Sequence, residues 1–142
     1  MEQDKLVVFL SKNLHIGENG GKVIIGKNSY INSGRLRAFG ADIIIGKDCT
    51  IGYNIVMITS YGSHFLGKEK EKRIKPIVIG NNVWIGDSAM IRGGVTIGDW
   101  AVIGMGSVVI TDVEAFHVYA GNPAKDCGLR PDYLDIMKKI RK

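Results

Sequence analysis

The stretch 79-IGNNVWIGDSAMIRGGVTIGDWAVIGMGSVVITDV-113 keeps a beat of six residues. Ile79, Ile85, Ile91, Ile97, Ile103 and Val109 recur on that beat, and Gly80, Gly86, Gly98 and Gly104 follow four of them. Four residues after each aliphatic comes a second small or apolar side chain: Val83, Ala89, Val95, Ala101, Ser107, Val113. A period of six fits no helical face. It is a multiple of the two-residue alternation of a strand, broken by a turn in each unit. The aliphatic points inward, and the glycine or asparagine beside it gives the chain freedom to turn. Short strands with regular turns wind into a coil, and stacked coils bury one another's inward side chains. The expected fold is an all-β solenoid, three units to a coil of eighteen residues.

Outward from that stretch the beat continues less evenly. Ile25-Gly26 leads to Ile31, and Ile45-Gly46 leads to Ile51-Gly52 and Met57. Ile31 and Ile45 are two residues further apart than two units, which places an insertion near 33-SGRLRAFGAD-42. Met57 and Ile79 are twenty-two residues apart, four more than one coil. Residues 59–77 therefore leave the coil as a loop, and loops on a rigid scaffold are where chemistry is usually placed. The end of the chain reads differently. Pro131 and Asp132 open a short helix that runs to the basic tail of Lys138, Lys139, Arg141 and Lys142. Tyr133, Ile136, Met137 and Ile140 share one face, expected to cover an open end of the solenoid. Residues 1–130 form the solenoid domain and 131–142 the helix.

A chain of 142 residues fits one domain. Nineteen glycines are about twice the usual share. The net charge of +5 points to an anionic partner: a phosphate-rich cofactor, an acidic polysaccharide or nucleic acid. Cys49 and Cys127 make neither a disulfide framework nor a metal motif. The run 6-LVVFL-10 is too short for a signal peptide and follows an acidic start, and no apolar run reaches membrane-spanning length. The expected setting is the reducing cytoplasm, without membrane insertion.

Taken with 121-GNPAK-125 and 63-SH-64, the 79–113 string resembles the hexapeptide-repeat acyltransferases, closest to the galactoside, maltose and xenobiotic O-acetyltransferases. The resemblance spans roughly residues 23–126. It implies a left-handed parallel β-helix, a homotrimer with sites between subunits, acetyl-CoA as donor, a sugar or saccharide acceptor, and neither metal nor nucleic acid. Handedness comes from the resemblance alone, since right-handed crossovers are the general rule for parallel strands.

The resemblance also assigns residues. His64 matches the family's catalytic histidine. An alcohol keeps its proton near neutral pH, and imidazole is the side chain suited to taking it. Read without the resemblance, His64 is an ordinary solvated loop histidine. Asn32, thirteen residues before Ile45, matches an acceptor-contacting asparagine; its other reading is a turn residue with positive φ. The family's carboxylate five residues before Ile45 is replaced by Gly40, which alters the acceptor pocket. Galactoside- and maltose-acting relatives carry an extra N-terminal helical segment, and a chain that enters its solenoid within about twenty residues is expected to leave the acceptor site more open. Trp84, between inward Val83 and Ile85, points outward by alternation and matches a site-lining tryptophan. Asp87 and Met105 match positions whose backbone contacts the CoA arm. Lys125 matches a basic residue near the CoA phosphates, and Thr111 stands where relatives often carry lysine. Arg130 and the tail lysines are candidates to replace that contact.

The remaining residues read as structural. 67-GKEKEKRIK-75 is expected to be a solvated mobile loop, Cys49 a small core residue, and His15 and His117, which lack partners at any motif spacing, structural or surface side chains. Competing functions remain: a solenoid carbonic anhydrase needing three gathered histidines, a non-catalytic scaffold, and an N-acetyltransferase acting on an amino sugar. O-acetylation of a surface-polysaccharide precursor is the reading preferred.

Overall fold

The structure is a computed structural model that describes residues 12–141 together with the backbone of residues 2–3 and 9–10. Part of the 6–10 run and Lys142 lie outside the described residues. About five turns of parallel β-solenoid make up the body, and three sheets run along it. The first holds Val23–Ile25, Ile43–Ile45, Ile77–Ile79 and Thr96–Ile97. The second holds Tyr30–Ile31, Thr50–Ile51, Trp84–Ile85 and Val102–Ile103, then continues into His117–Gly121 and Ala124–Leu129. The third holds Leu14–Asn19, Gly34–Phe39, Ile55–Ile58, Met90–Arg92 and Val108–Val109.

The register follows the beat. Ile79 pairs with Ile97, Ile85 with Ile103 and Ile91 with Val109, each one coil on. All of these aliphatics are buried, as are Val83, Ala89, Val95, Ala101, Ser107 and Val113. The early coil is two residues longer, as expected, with Ile44 paired to Ile24 and the surplus taken up by the six-residue strand Gly34–Phe39.

Two expectations need correction. The glycines after the aliphatics do not supply the turn. A Cβ on Gly26 would lie 2.5 Å from the Gly46 carbonyl carbon, and one on Gly98 would lie 2.5 Å from the Ala115 amide nitrogen. They are glycines because the next coil's backbone passes too close for a side chain. The turn itself is made two residues later. Asn28, Asp48, Asn82, Trp100 and Phe116 occupy one corner in successive coils with φ of 63, 58, 58, 63 and 65°. Asn and Asp tolerate that left-handed conformation, whereas bulky aromatics rarely adopt it. Trp100 and Phe116 are held there by stacking, ring centroids 6.4 Å apart.

The second correction concerns the loop. Met57 and Ile79 lie on different sheets: Met57 pairs with Ile91, and Ile79 pairs with Ile45. Against the eighteen-residue coil, the insertion is sixteen residues, not four. Nor is it featureless. Ser60 bridges Ile74, Tyr61 N–H donates to the Arg73 carbonyl at 2.9 Å, and Lys75 N–H donates to that of Thr59 at 3.2 Å. Beyond this zipped base a short helix, Gly67–Glu71, is followed by Lys72 and Arg73, which both pair with Glu69.

The C-terminal helix spans Tyr133–Ile140. Tyr133 meets Phe116 edge-on at 5.3 Å and Ile136 is buried, while Ile140 is exposed. The helix thus docks on the aromatic corner, and its first turn walls the outer face of the second sheet.

Candidate active site

Trp84 points outward from the second sheet, as alternation requires, and is 54% exposed. A groove of about 240 Å³ runs beside it, lined by Gly86, Asp87, Val102, Gly104 and Met105. Three of the residues singled out in the sequence, Trp84, Asp87 and Met105, therefore meet in one place. The stacked-coil register brings them together: Trp84 pairs with Val102, and Gly106 N–H donates to the Asp87 carbonyl at 2.8 Å. The Asp87 carboxylate is occupied, accepting the Tyr53 N–H at 2.9 Å. On the other side of Trp84 a second groove, about 450 Å³, is closed by Arg130, Pro131 and Asp135.

Lys125 lies exposed on the antiparallel hairpin that extends the second sheet, opposite Ala120. Gly104 N–H donates to the carbonyl of Tyr119, next to Ala120, so the hairpin abuts the groove. A clasp that the sequence reading missed holds this hairpin together. His117 Nδ1 lies 2.8 and 3.0 Å from the two Asp126 oxygens, and Nε2 lies 3.6 Å from Glu114. His117 is thus a structural side chain, paired across the hairpin rather than at a motif spacing. The bond to Asp126 raises the imidazole's pKa above its ordinary value and lowers that of the carboxylate. No motif spacing signals the pair, because only the hairpin register makes residues 117 and 126 neighbours. Glu114, His117 and Asp126 are also the one group of potential metal ligands among the described residues.

The other singled-out residues lie elsewhere. His64 is exposed on the loop beyond the third sheet, outside the Trp84 groove, and has no hydrogen-bond partner among the described residues. Thr111 is exposed past the end of the third sheet. Asn32 is partly buried and its amide donates to the Ile51 carbonyl at 3.2 Å, so it ties two coils together; its φ is not positive. Arg130 is committed, with two nitrogens on Asp132 at 2.7 and 2.9 Å and a third on the Trp100 carbonyl. It is not free to replace a phosphate contact. Gly40 turns the chain at φ 74°, and the loop's Ile74 fills the space a side chain there would need. Cys49 is buried as expected, and burial raises its thiol pKa. His15, His64 and His117 stand on the first coil, the loop and the hairpin, so no trio of histidines gathers.

The family description "Bacterial transferase hexapeptide (six repeats)" matches residues 76–111, and "Hexapeptide repeat of succinyl-transferase" matches 42–61. A hexapeptide-repeat acetyltransferase of Vibrio cholerae, solved with acetyl coenzyme A, superposes with a TM-score of 0.74 at 30% identity, over 89% of this chain and 69% of that one. The chain belongs to the hexapeptide-repeat acyltransferase family. The structure of a galactoside acetyltransferase with coenzyme A superposes with a TM-score of 0.67 at 33% identity, over 85% of this chain and 67% of that one. Galactoside O-acetyltransferase of Escherichia coli (strain K12) is 40% identical over 108 residues, which cover 75% of this chain and 53% of the relative. The chain thus spans about half the length of the curated relatives it matches over most of its own length. No helix among the described residues is long and apolar enough to cross a membrane.

Proposed function

We propose that the chain is an acetyl-CoA-dependent O-acetyltransferase acting on a hydroxyl of a sugar or surface-polysaccharide precursor, with His64 as general base. The observation that carries this reading is the groove in which Trp84, Asp87 and Met105 meet. Its floor at Gly86 and Gly104 is bare backbone, its wall is apolar, and Lys125 stands exposed on the adjoining hairpin. An apolar slot floored by backbone, beside a hairpin that carries a cation, suits an extended arm that ends in phosphates. Acetyl-CoA would supply the activated acetyl group as a thioester.

The work of this chain's own residues is then positioning and proton transfer. The His64 imidazole takes the acceptor hydroxyl's proton as the oxygen forms its bond to the acetyl carbon. It returns that proton to the departing sulfur, so the two steps balance and no covalent enzyme intermediate is needed. The developing oxyanion charge would need a backbone N–H, and the Gly86 and Gly104 amides of the groove floor are already bonded to the Ile103 and Tyr119 carbonyls. His64 and the groove lie on different sides of one chain, so the site is completed by a neighbouring copy in a homotrimer.

The test is a screen of hydroxyl and amino acceptors against acetyl-CoA, reading thiol release. His64→Ala should lower turnover by roughly two to four orders of magnitude, the usual share of a general base, and leave stabilisation by CoA in place. Near-full transfer by the variant would make His64 an ordinary loop residue. Transfer to amines alone would move the reading to N-acetylation, and no stabilisation by CoA would favour a scaffold.

A further inference from the structure

The outer face of the third sheet carries charge of one sign. Its outward positions, read across the strands, are His15, Arg35, Val56, Met90 and Val108 in one row, and Gly17, Arg37, Ile58 and Arg92 in the next. No carboxylate stands among them. Asp42, Asp87, Asp99 and Asp112 each accept a backbone N–H from an adjacent coil, and Glu18, on this sheet but in the opposite alternation beside Ala38, accepts the Val23 N–H. Arg35 and Arg37 are exposed, and neither has a hydrogen-bond or ion-pair partner among the described residues. Arg35 and His15 border an open polar recess of about 710 Å³ that also includes Ser33, Tyr53 and Asn54.

The same face leads to His64. Ile58 stands between Arg37 and Arg92, and the loop leaves the coil immediately after it. Thr59 N–H donates to the Arg37 carbonyl at 3.2 Å, and the Thr59 hydroxyl accepts the Phe39 N–H at 2.9 Å, so the strand bearing the arginines is bonded to the root of the loop. Arg92 lies over the Tyr61 ring at 4.5 Å, three residues before His64. One of its terminal nitrogens donates to the Ile110 carbonyl, while its Nε is buried with no partner. Arg37 and Arg92 are two strand spacings apart, about 10 Å.

We infer that this face reads an anionic group on the acceptor: Arg35 and Arg37 bind a carboxylate or phosphate of an acidic saccharide, and Arg92 at the loop root directs the neighbouring hydroxyl toward His64. Guanidinium forks match planar and tetrahedral oxyanions with paired hydrogen bonds, and exposed arginines without acidic neighbours keep those donors available. The +5 net charge adds long-range attraction for such a ligand. The inference rests on the acetyl-transfer reading and assigns its acceptor class.

The experiment uses three probes without acetyl-CoA: a glucuronate-containing oligosaccharide, glucose 1-phosphate and neutral maltotriose. Binding to the full chain is titrated at low and high salt, alongside CoA-induced thermal stabilisation. One of the anionic probes should bind at least tenfold tighter than maltotriose, and that preference should fall with salt. The Arg35→Ala/Arg37→Ala double variant should lose the preference while CoA still stabilises it, which shows an intact fold. Arg92→Met, which keeps an unbranched side chain but removes the guanidinium over Tyr61, should weaken the same probe severalfold. The tighter anionic probe identifies carboxylate or phosphate as the group read. Equal binding of all three probes, or a double variant that binds like the wild type, overturns the inference and leaves the acetyl-transfer reading standing. Failure of CoA to stabilise the wild type would sink that reading by itself, and the acceptor role with it.

Discussion

At the residue scale, glycine appears in this chain for two different reasons. Gly26 has no room for a side chain, since a Cβ there would lie 2.5 Å from the Gly46 carbonyl carbon and 2.8 Å from the Lys47 nitrogen. These are backbone atoms held by the coil ladder, so they cannot move aside singly. Gly106 has open space but a φ of 68°, at the corner where lower coils carry Asn54 and Ser88 at 57 and 61°. Gly26→Ala should therefore cost about 1–3 kcal/mol, as overpacking does, while Gly106→Asn should be nearly neutral. Thermal unfolding of the two variants checks this, and equal losses would refute the distinction. Gly26 follows an aliphatic of the beat and Gly106 comes three residues after one, yet the sequence alone offers the same reading, a turn, for both. The aliphatic positions were legible because burial leaves a periodic trace. Close approach between backbones leaves only the word glycine. A second prediction belongs to Lys125. It is exposed, and Arg130 is held by Asp132 and the Trp100 carbonyl. Lys125→Ala should raise the KM for acetyl-CoA severalfold with kcat nearly unchanged, and should flatten the salt dependence of KM. An unchanged KM would place the phosphates elsewhere.

At the element scale, the hairpin 117–129 was illegible and the loop 59–76 only half legible. The loop showed as missing beats, but the six-residue period cannot say which sheet the chain rejoins, so the insertion was undercounted. The hairpin breaks the period altogether, and its clasp depends on an antiparallel register with a bulge between His117 and Tyr119. That clasp sets a pH dependence. The bond to Asp126 raises the His117 pKa above about 6.5, so its contribution is complete below that value and is lost as pH rises through the raised pKa. The same bond lowers the Asp126 pKa below about 3.8, so its contribution is present above that value and is lost as pH falls through the lowered pKa. Between about pH 4 and 6.5 both are in force. Glu114, 3.6 Å from Nε2, acts in the same direction as Asp126 on the imidazole. The wild type should thus exceed His117→Gln in melting temperature at pH 6, and the gap should narrow by pH 8.5. A gap that does not change with pH would show that the pair contributes without ionisation.

At the scale of the whole molecule, the proposed reactive parts face apart. Trp84 belongs to the second sheet, and His64 follows the third. A rigid stack of coils cannot fold one face onto another, so no motion within the body brings the histidine to the groove. The outward row of the second sheet runs Tyr30, Thr50, Trp84, Val102 and Val118, apolar apart from Thr50, a stripe that a neighbour would cover. Cyclic association by a repeated head-to-tail contact would place the loop of each copy against the groove of the next. That arrangement predicts complementation between two defective chains. His64→Ala retains the groove, Trp84→Ala retains the base, and each alone should be nearly inactive. Unfolded together in equal amounts and refolded, they should regain activity, because roughly a quarter of head-to-tail interfaces would join an intact loop to an intact groove. Light scattering on the same sample should report a trimer. If the refolded mixture stays as inactive as its parents while each parent is trimeric, both residues must act within one chain, and the shared site is wrong.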